Sequence, residues 1–116
     1  MSQPTPPDYV RNSGASIVSK NILDRRGRVR WAVREPQENP SDNGWRFFSE
    51  LDDEAYLSDP SNLLVASFNT VADIEPAVIP ILNMPVGTDL VIDRDDHGRI
   101  RFYDNVTGAP AELPGI

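Results

Sequence analysis

The chain has no cysteine and one histidine, His97. The first absence excludes disulfides, thiolate metal sites, iron–sulfur clusters and a cysteine nucleophile. The second confines imidazole chemistry to a residue that precedes Gly98 in a stretch reading as a hairpin turn. The serines fall in loops or at strand ends, and no nucleophile–base pattern emerges. There is no glycine-rich phosphate loop, and no basic run interleaved with stacking aromatics. No apolar run nears the roughly 18–20 residues of a membrane span. The opening MSQPTPPDYVRNSG lacks the basic and then apolar pattern of a secretory leader. These absences lead to the expectation of a soluble cytoplasmic protein, not an enzyme, with no catalytic residues, metal or cofactor, bound to neither nucleic acid nor membrane.

What is present suffices for one modest core: 116 residues, 39% hydrophobic and 25% charged. Net charge is −7, unevenly spread. Residues 11–34 carry seven basic groups against Asp24 alone, whereas residues 35–59 carry eight acids against Arg46 alone. An acidic chain repels nucleic acid and is steered towards basic partners. The two blocks can equally neutralise each other across neighbouring strands.

Residues 1–14 read as a flexible tail, 15–105 as the folded domain, and 106–116 as a second tail in which Leu113 or Ile116 could tuck inward. Ser16–Leu23 reads as a strand, and Asp24-Arg25-Arg26-Gly27 as a turn. RVRWAVR (28–34) alternates, which puts Val29, Trp31 and Val33 on one face and Arg28, Arg30 and Arg34 on the other. These two strands are expected to form a hairpin. The arginine stripe is expected to meet the protein's own acids. After a loop over 35–44, WRFFS (45–49) is β-prone, with Trp45 and Phe47 on one face and both expected in the core. Residues 51–57 read as a short helix with acids in its first turn. The continuous apolar run LLVASF (63–68) predicts a central strand buried on both faces. Asn69 or Thr70 can cap the helical segment that follows, in which Pro76 is tolerable as the opening of a turn. Residues 88–93 and 99–103 flank a second hairpin turn. The expected fold is α+β, a single domain with a largely antiparallel sheet of about five to six strands and two short helical segments.

Residues 93–104 partly match a calcium loop, with Gly98 at the sixth position. His97 and Asp104 are wrong at two ligand positions, and the flanks are strands. A charged hairpin turn is the default reading.

Taken together, VSKNIL (18–23), VRWAVREP (29–36), SDNGWRFFS (41–49), DDEAYLSDPSN (52–62) and PAVIPILNMPVGT (76–88) resemble a family of small bacterial proteins grouped as immunity protein class thirty-three of polymorphic toxin systems. The likeness spans roughly residues 16–104. Its most specific part is Val29, Trp31, Arg34-Glu35-Pro36, Ser41-Asp42, Gly44-Trp45-Arg46-Phe47-Phe48, Asp53-Glu54 and Tyr56. A glycine often follows the aromatic pair and serine in that family; Glu50 stands there in this chain. The resemblance implies an α+β fold and the binding of a cognate toxin domain. An occluding inhibitor needs no catalytic groups, and an acidic one associates faster with a basic toxin. On this reading Trp45 and Tyr56 supply anchors and Asp42, Glu50, Asp52, Asp53 and Glu54 the charge, because aromatic anchors within a charged rim make tight hot spots. An adaptor for some other protein is the alternative use of the same surface.

Overall fold

The computed structural model describes residues 9–113. Most of the expected N-terminal tail, residues 1–8, and the end that includes Ile116 lie outside this range. The strands are β1 (Ala15–Ser19), β2 (Val29–Arg34), β3 (Asp42–Ser49), β4 (Leu63–Ser67), β5 (Asp89–Arg94) and β6 (Ile100–Asp104). They form one sheet in the order β4-β1-β3-β2-β5-β6. Only β1 and β3 run parallel; the other neighbours are antiparallel. The helices are α1 (Lys20–Leu23), α2 (Glu54–Leu57) and α3 (Phe68–Ile74), with 3-10 turns at Pro60–Asn62 and Pro76–Ile81. This is the α+β domain that the alternating strand and helix signals imply, with one more α-helical turn than expected, α1, besides the 3-10 turn at Pro60–Asn62.

The α1 turn comes from Ser19. Its hydroxyl accepts from Asn21 N at 3.2 Å and so ends β1 four residues before the expected boundary. Two strand expectations also need correcting. β1 and β2 do not form a hairpin, because β3 inserts between them, pairing parallel with β1 and antiparallel with β2. β4 is not central and doubly buried; it is an edge strand, with Leu64 and Val65 exposed. The apolar run LLVASF looks the same in sequence whether it is covered or merely placed beside one neighbour.

The core lies on one face of the sheet, beneath α1, α3 and the Pro76–Ile81 turn. Val18, Val29, Ala32, Trp45, Phe47, Leu90 and Ile92 from the strands meet Ile22, Phe68, Val71, Ala72, Val78 and Ile81 from the helical layer. Trp45 and Phe47 stack 5.9 Å apart, Phe47 reaches Phe68 at 6.4 Å, and Trp45 Nε1 donates to Leu82 O at 2.9 Å. Pro76 opens its turn, as its missing N–H permits. α3 is capped by Ser67, whose hydroxyl accepts from Thr70 N, whereas Asn69 exchanges hydrogen bonds with the Val10 backbone. With Tyr9 OH donating to Asp73, residues 9 and 10 are fastened to α3. At the other end of the chain, residues 109–111 run back along β6.

Candidate protein-binding face

The opposite face of the sheet has no helical layer over its centre, and β2 decides what that face displays. Val29 pairs with Ser49 but Trp31 with Phe48, so one extra residue, Arg30, is accommodated between them. A bulge of this kind inverts the side-chain alternation beyond it. Val29 and Ala32 therefore point into the core, while Trp31 and Val33 point out to the open face. The clean alternation of RVRWAVR predicts Val29, Trp31 and Val33 together; the bulge separates them.

Register then assembles two rows across the open face. One runs Phe48–Trp31–Val91–Tyr103 over β3, β2, β5 and β6; all four side chains are partly exposed. The other runs Val65–Ile17–Arg46–Val33–Asp89 from β4 to β5. Between the rows and α2 lies a groove of about 370 Å3, with Trp31, Val33, Phe48 and Leu57 as its apolar wall. Asp52, Asp53, Glu54 and Asp89 supply its acids. Asp89 Oδ1 is buried with no hydrogen-bond partner among the described residues.

The expected site residues divide sharply. Trp45 is fully buried in the core and cannot serve as a surface anchor. Asp42 is also buried: both its oxygens accept from Arg46 at 2.8 Å, and Glu38 N and Gly44 N donate to it at 2.8 Å. The Arg46 hydrogen bond holds the Asp42 carboxyl far below the usual carboxylate range, although burial opposes this; the two backbone donors reinforce it. Arg46 is shifted upward by the same hydrogen bond. Asp52 is buried too, accepting from Ser19 Oγ, Asn21 Nδ2 and Ser49 N, which ties β1, α1 and the end of β3 together. Glu50 accepts from Arg28 N and closes the β2–β3 end. Asp53 caps α2 by accepting from Tyr56 N at 2.7 Å, and it is exposed beside exposed Glu54. Tyr56 is half-buried on α2. Of the seven residues, Asp53 and Glu54 carry unburied charge at the groove. Six groove residues are not among those candidates, Trp31, Phe48 and Asp89 with them. Phe48 was accessible to reasoning, since it alternates with core-facing Phe47.

The arginines at 28, 30 and 34 serve the fold. Arg28 pairs with buried Glu75 at 3.1 Å, and Arg94 pairs with the same carboxylate. Arg30 pairs with Asp93 at 2.9 Å. Arg34 donates to the carbonyls of Asn43, Leu82 and Met84 and lies over the Trp45 ring. In the 93–104 hairpin, Asp95 Oδ1 accepts from His97 N and Arg99 N, so its carboxylate closes the turn. Among the described residues there is no group of three potential metal ligands and no helix long and apolar enough to cross a membrane.

Many motif residues thus have structural work. Gly44 has φ +87°, and a Cβ there would stand 2.2 Å from Glu35 O. Arg46 clamps Asp42, while Trp45 and Phe47 fill the core. No curated protein and no solved structure matches the chain significantly. The family model of the Immunity protein Imm33 domain matches residues 16–102, which takes in β2 to β5 and most of β1 and β6. The chain belongs to the Imm33 immunity protein family.

Proposed function

We propose that this immunity-family protein acts in the cytoplasm, without catalysis, by occluding a cognate toxin domain with its open sheet face. The observation carrying this reading is the groove itself: an apolar, aromatic wall beside Asp53, Glu54 and an Asp89 oxygen that lacks a partner among the described residues. Such a groove suits the apolar stem and cationic head of a lysine or arginine. A basic partner is also the kind that an acidic chain captures fastest. Trp31 and Phe48 are the anchors on this reading, and the acids set orientation and association rate.

The test begins with pull-down at low salt using the full chain. The captured protein is then expressed alone and with the chain. Support requires that it be toxic alone, be neutralised by the wild type, and escape a Trp31→Ala, Phe48→Ala double variant that remains folded. Capture of a non-toxic regulatory or metabolic assembly would replace this reading with an adaptor function. Unimpaired protection by the double variant would remove the open face from the mechanism.

A further inference from the structure

The two edges of the sheet are treated differently. Beside β6, the chain returns so that Tyr103 bridges Pro110, Asp104 N donates to Ala109 O, and Ala111 N donates to Phe102 O. Pro110 has no N–H to offer a further strand. The β4 edge is protected only by its five-residue length: among the described residues no segment pairs with it, and LLVAS contains no charge, no proline and no bulge.

The backbone phase of β4 can be read from its ladder. Phe68 N donates to Gly14 O at 2.9 Å, one step beyond the Ser67–Ala15 pair. Antiparallel hydrogen bonding alternates, so Ala66 and Leu64 direct their backbone groups to β1, and Leu63, Val65 and Ser67 direct theirs outward. Leu63 N–H is taken by Pro60 O, which leaves its carbonyl. Ser67 is the cap of α3, so its carbonyl is taken by the first helical bond and its N–H remains. Val65 keeps both groups.

This pattern fits itself. We infer that the β4 edge pairs antiparallel with β4 of a second copy about a two-fold axis at Val65, giving a reversible homodimer with one continuous sheet. Val65 then faces its own copy and exchanges two hydrogen bonds with it. At each end a Ser67 N–H meets a Leu63 carbonyl, and the groups already engaged in each molecule fall opposite one another. Leu64 faces Ala66, large against small, on the core side. Val65, 76% exposed in the single chain, meets its twin on the open face.

Charge favours the same place. The chain carries −7, so two copies repel over most of their surfaces, yet Pro60 to Ala72 contains no ionisable side chain. With one edge capped, each molecule offers one open edge, and an isologous pairing closes at two copies instead of growing a fibre. The contact is ~17 Å long, by strand geometry. Its area falls below the ~1,000 Å2 expected of a permanent interface, so exchange is fast and concentration-dependent. The Trp31–Phe48 groove lies two strands away and stays free, so this inference is independent of the toxin reading.

Sedimentation of the full chain from low micromolar to near-millimolar concentration, at physiological ionic strength, tests it. The mass is expected to rise from 12.9 kDa towards twice that value. Val65→Lys, at an exposed position, should hold the chain monomeric at every concentration, with an unshifted melting temperature at low micromolar concentration, where the wild type is monomeric too. Because the native chain has no cysteine, Val65→Cys with a short bis-maleimide should give covalent dimer, whereas Val106→Cys, exposed far from β4, should not. A wild-type chain that stays monomeric throughout, dimerisation unaffected by Val65→Lys, or equal cross-linking at positions 65 and 106 would each overturn the inference.

Discussion

Arg46 and Asp42 lie four residues apart on β3, an even spacing that puts both side chains on one face of the strand, and they join through two hydrogen bonds of 2.8 Å. The pair is almost closed to solvent. It fixes the start of β3, because Asp42 also holds Glu38 N and Gly44 N and Arg46 reaches Glu35. Removing one partner leaves the other charge buried.

Asp42→Asn should therefore lower stability by ~3–5 kcal/mol, measured by urea unfolding at neutral pH. The pH dependence follows from the downward shift of Asp42. Its stabilisation is fully present above the ordinary carboxylate value of about 4 and is lost as pH falls towards the lower folded value. The gap between wild type and variant should narrow below that point.

The two tryptophans should separate stability from binding. Trp45→Ala empties the centre of the core and should destabilise by ~3–5 kcal/mol, seen as a large drop in urea midpoint. Trp31→Ala removes a partly exposed ring, so its main effect should be on toxin affinity, a loss of ~2 kcal/mol or more if it is a hot spot. Titration calorimetry against the captured toxin measures this.

The acidic rim should act on rate. A set of Asp53→Asn, Glu54→Lys and Asp89→Asn keeps a capping side chain at position 53 and spares Asp52, whose buried hydrogen bonds hold β1 to β3. Association should slow by about tenfold or more, with a weaker salt dependence than the wild type, in stopped-flow mixing. An unchanged rate would mean that these acids do not steer the encounter.

Gly44→Ala combines a positive φ with a clash against Glu35 O, and it should lower the melting temperature. The loss should exceed the ~1 kcal/mol typical of substitutions at random positions, because the nearby atom is backbone and cannot swing aside.

Local chemistry made much of this legible in the sequence. The β3 aromatics, the acidic cap of α2, the turn opened by Pro76 and the hairpin around Gly98 all follow from residue type and spacing. What escaped was non-local. RVRWAVR reads as clean alternation, and nothing within it announces the bulge at Arg30 that turns Trp31 outward. Asp42 and Asp52 read as parts of an acidic surface; only their partners, Arg46 in one case and Ser19 with Asn21 in the other, take them inside. LLVASF carries no mark of being an edge. For these reasons the anchors on the proposed reading are Trp31 and Phe48, and Trp45 is a core residue.

The single parallel pairing also bears on how the chain folds. β2 with β3, and β5 with β6, join neighbours in sequence and close short loops. β1 is made first, yet both of its partners, β3 and β4, come later, and the intervening β2 belongs on the far side of β3. Its ladder with β4, like that of β2 with β5, needs one of the longer closures, which form more slowly. During synthesis β1 must wait beside an unfinished sheet until β4 has left the ribosome. Seating β1 between β3 and β4 creates the open edge, while β5 and β6, made later still, join β2 on the far side of the sheet.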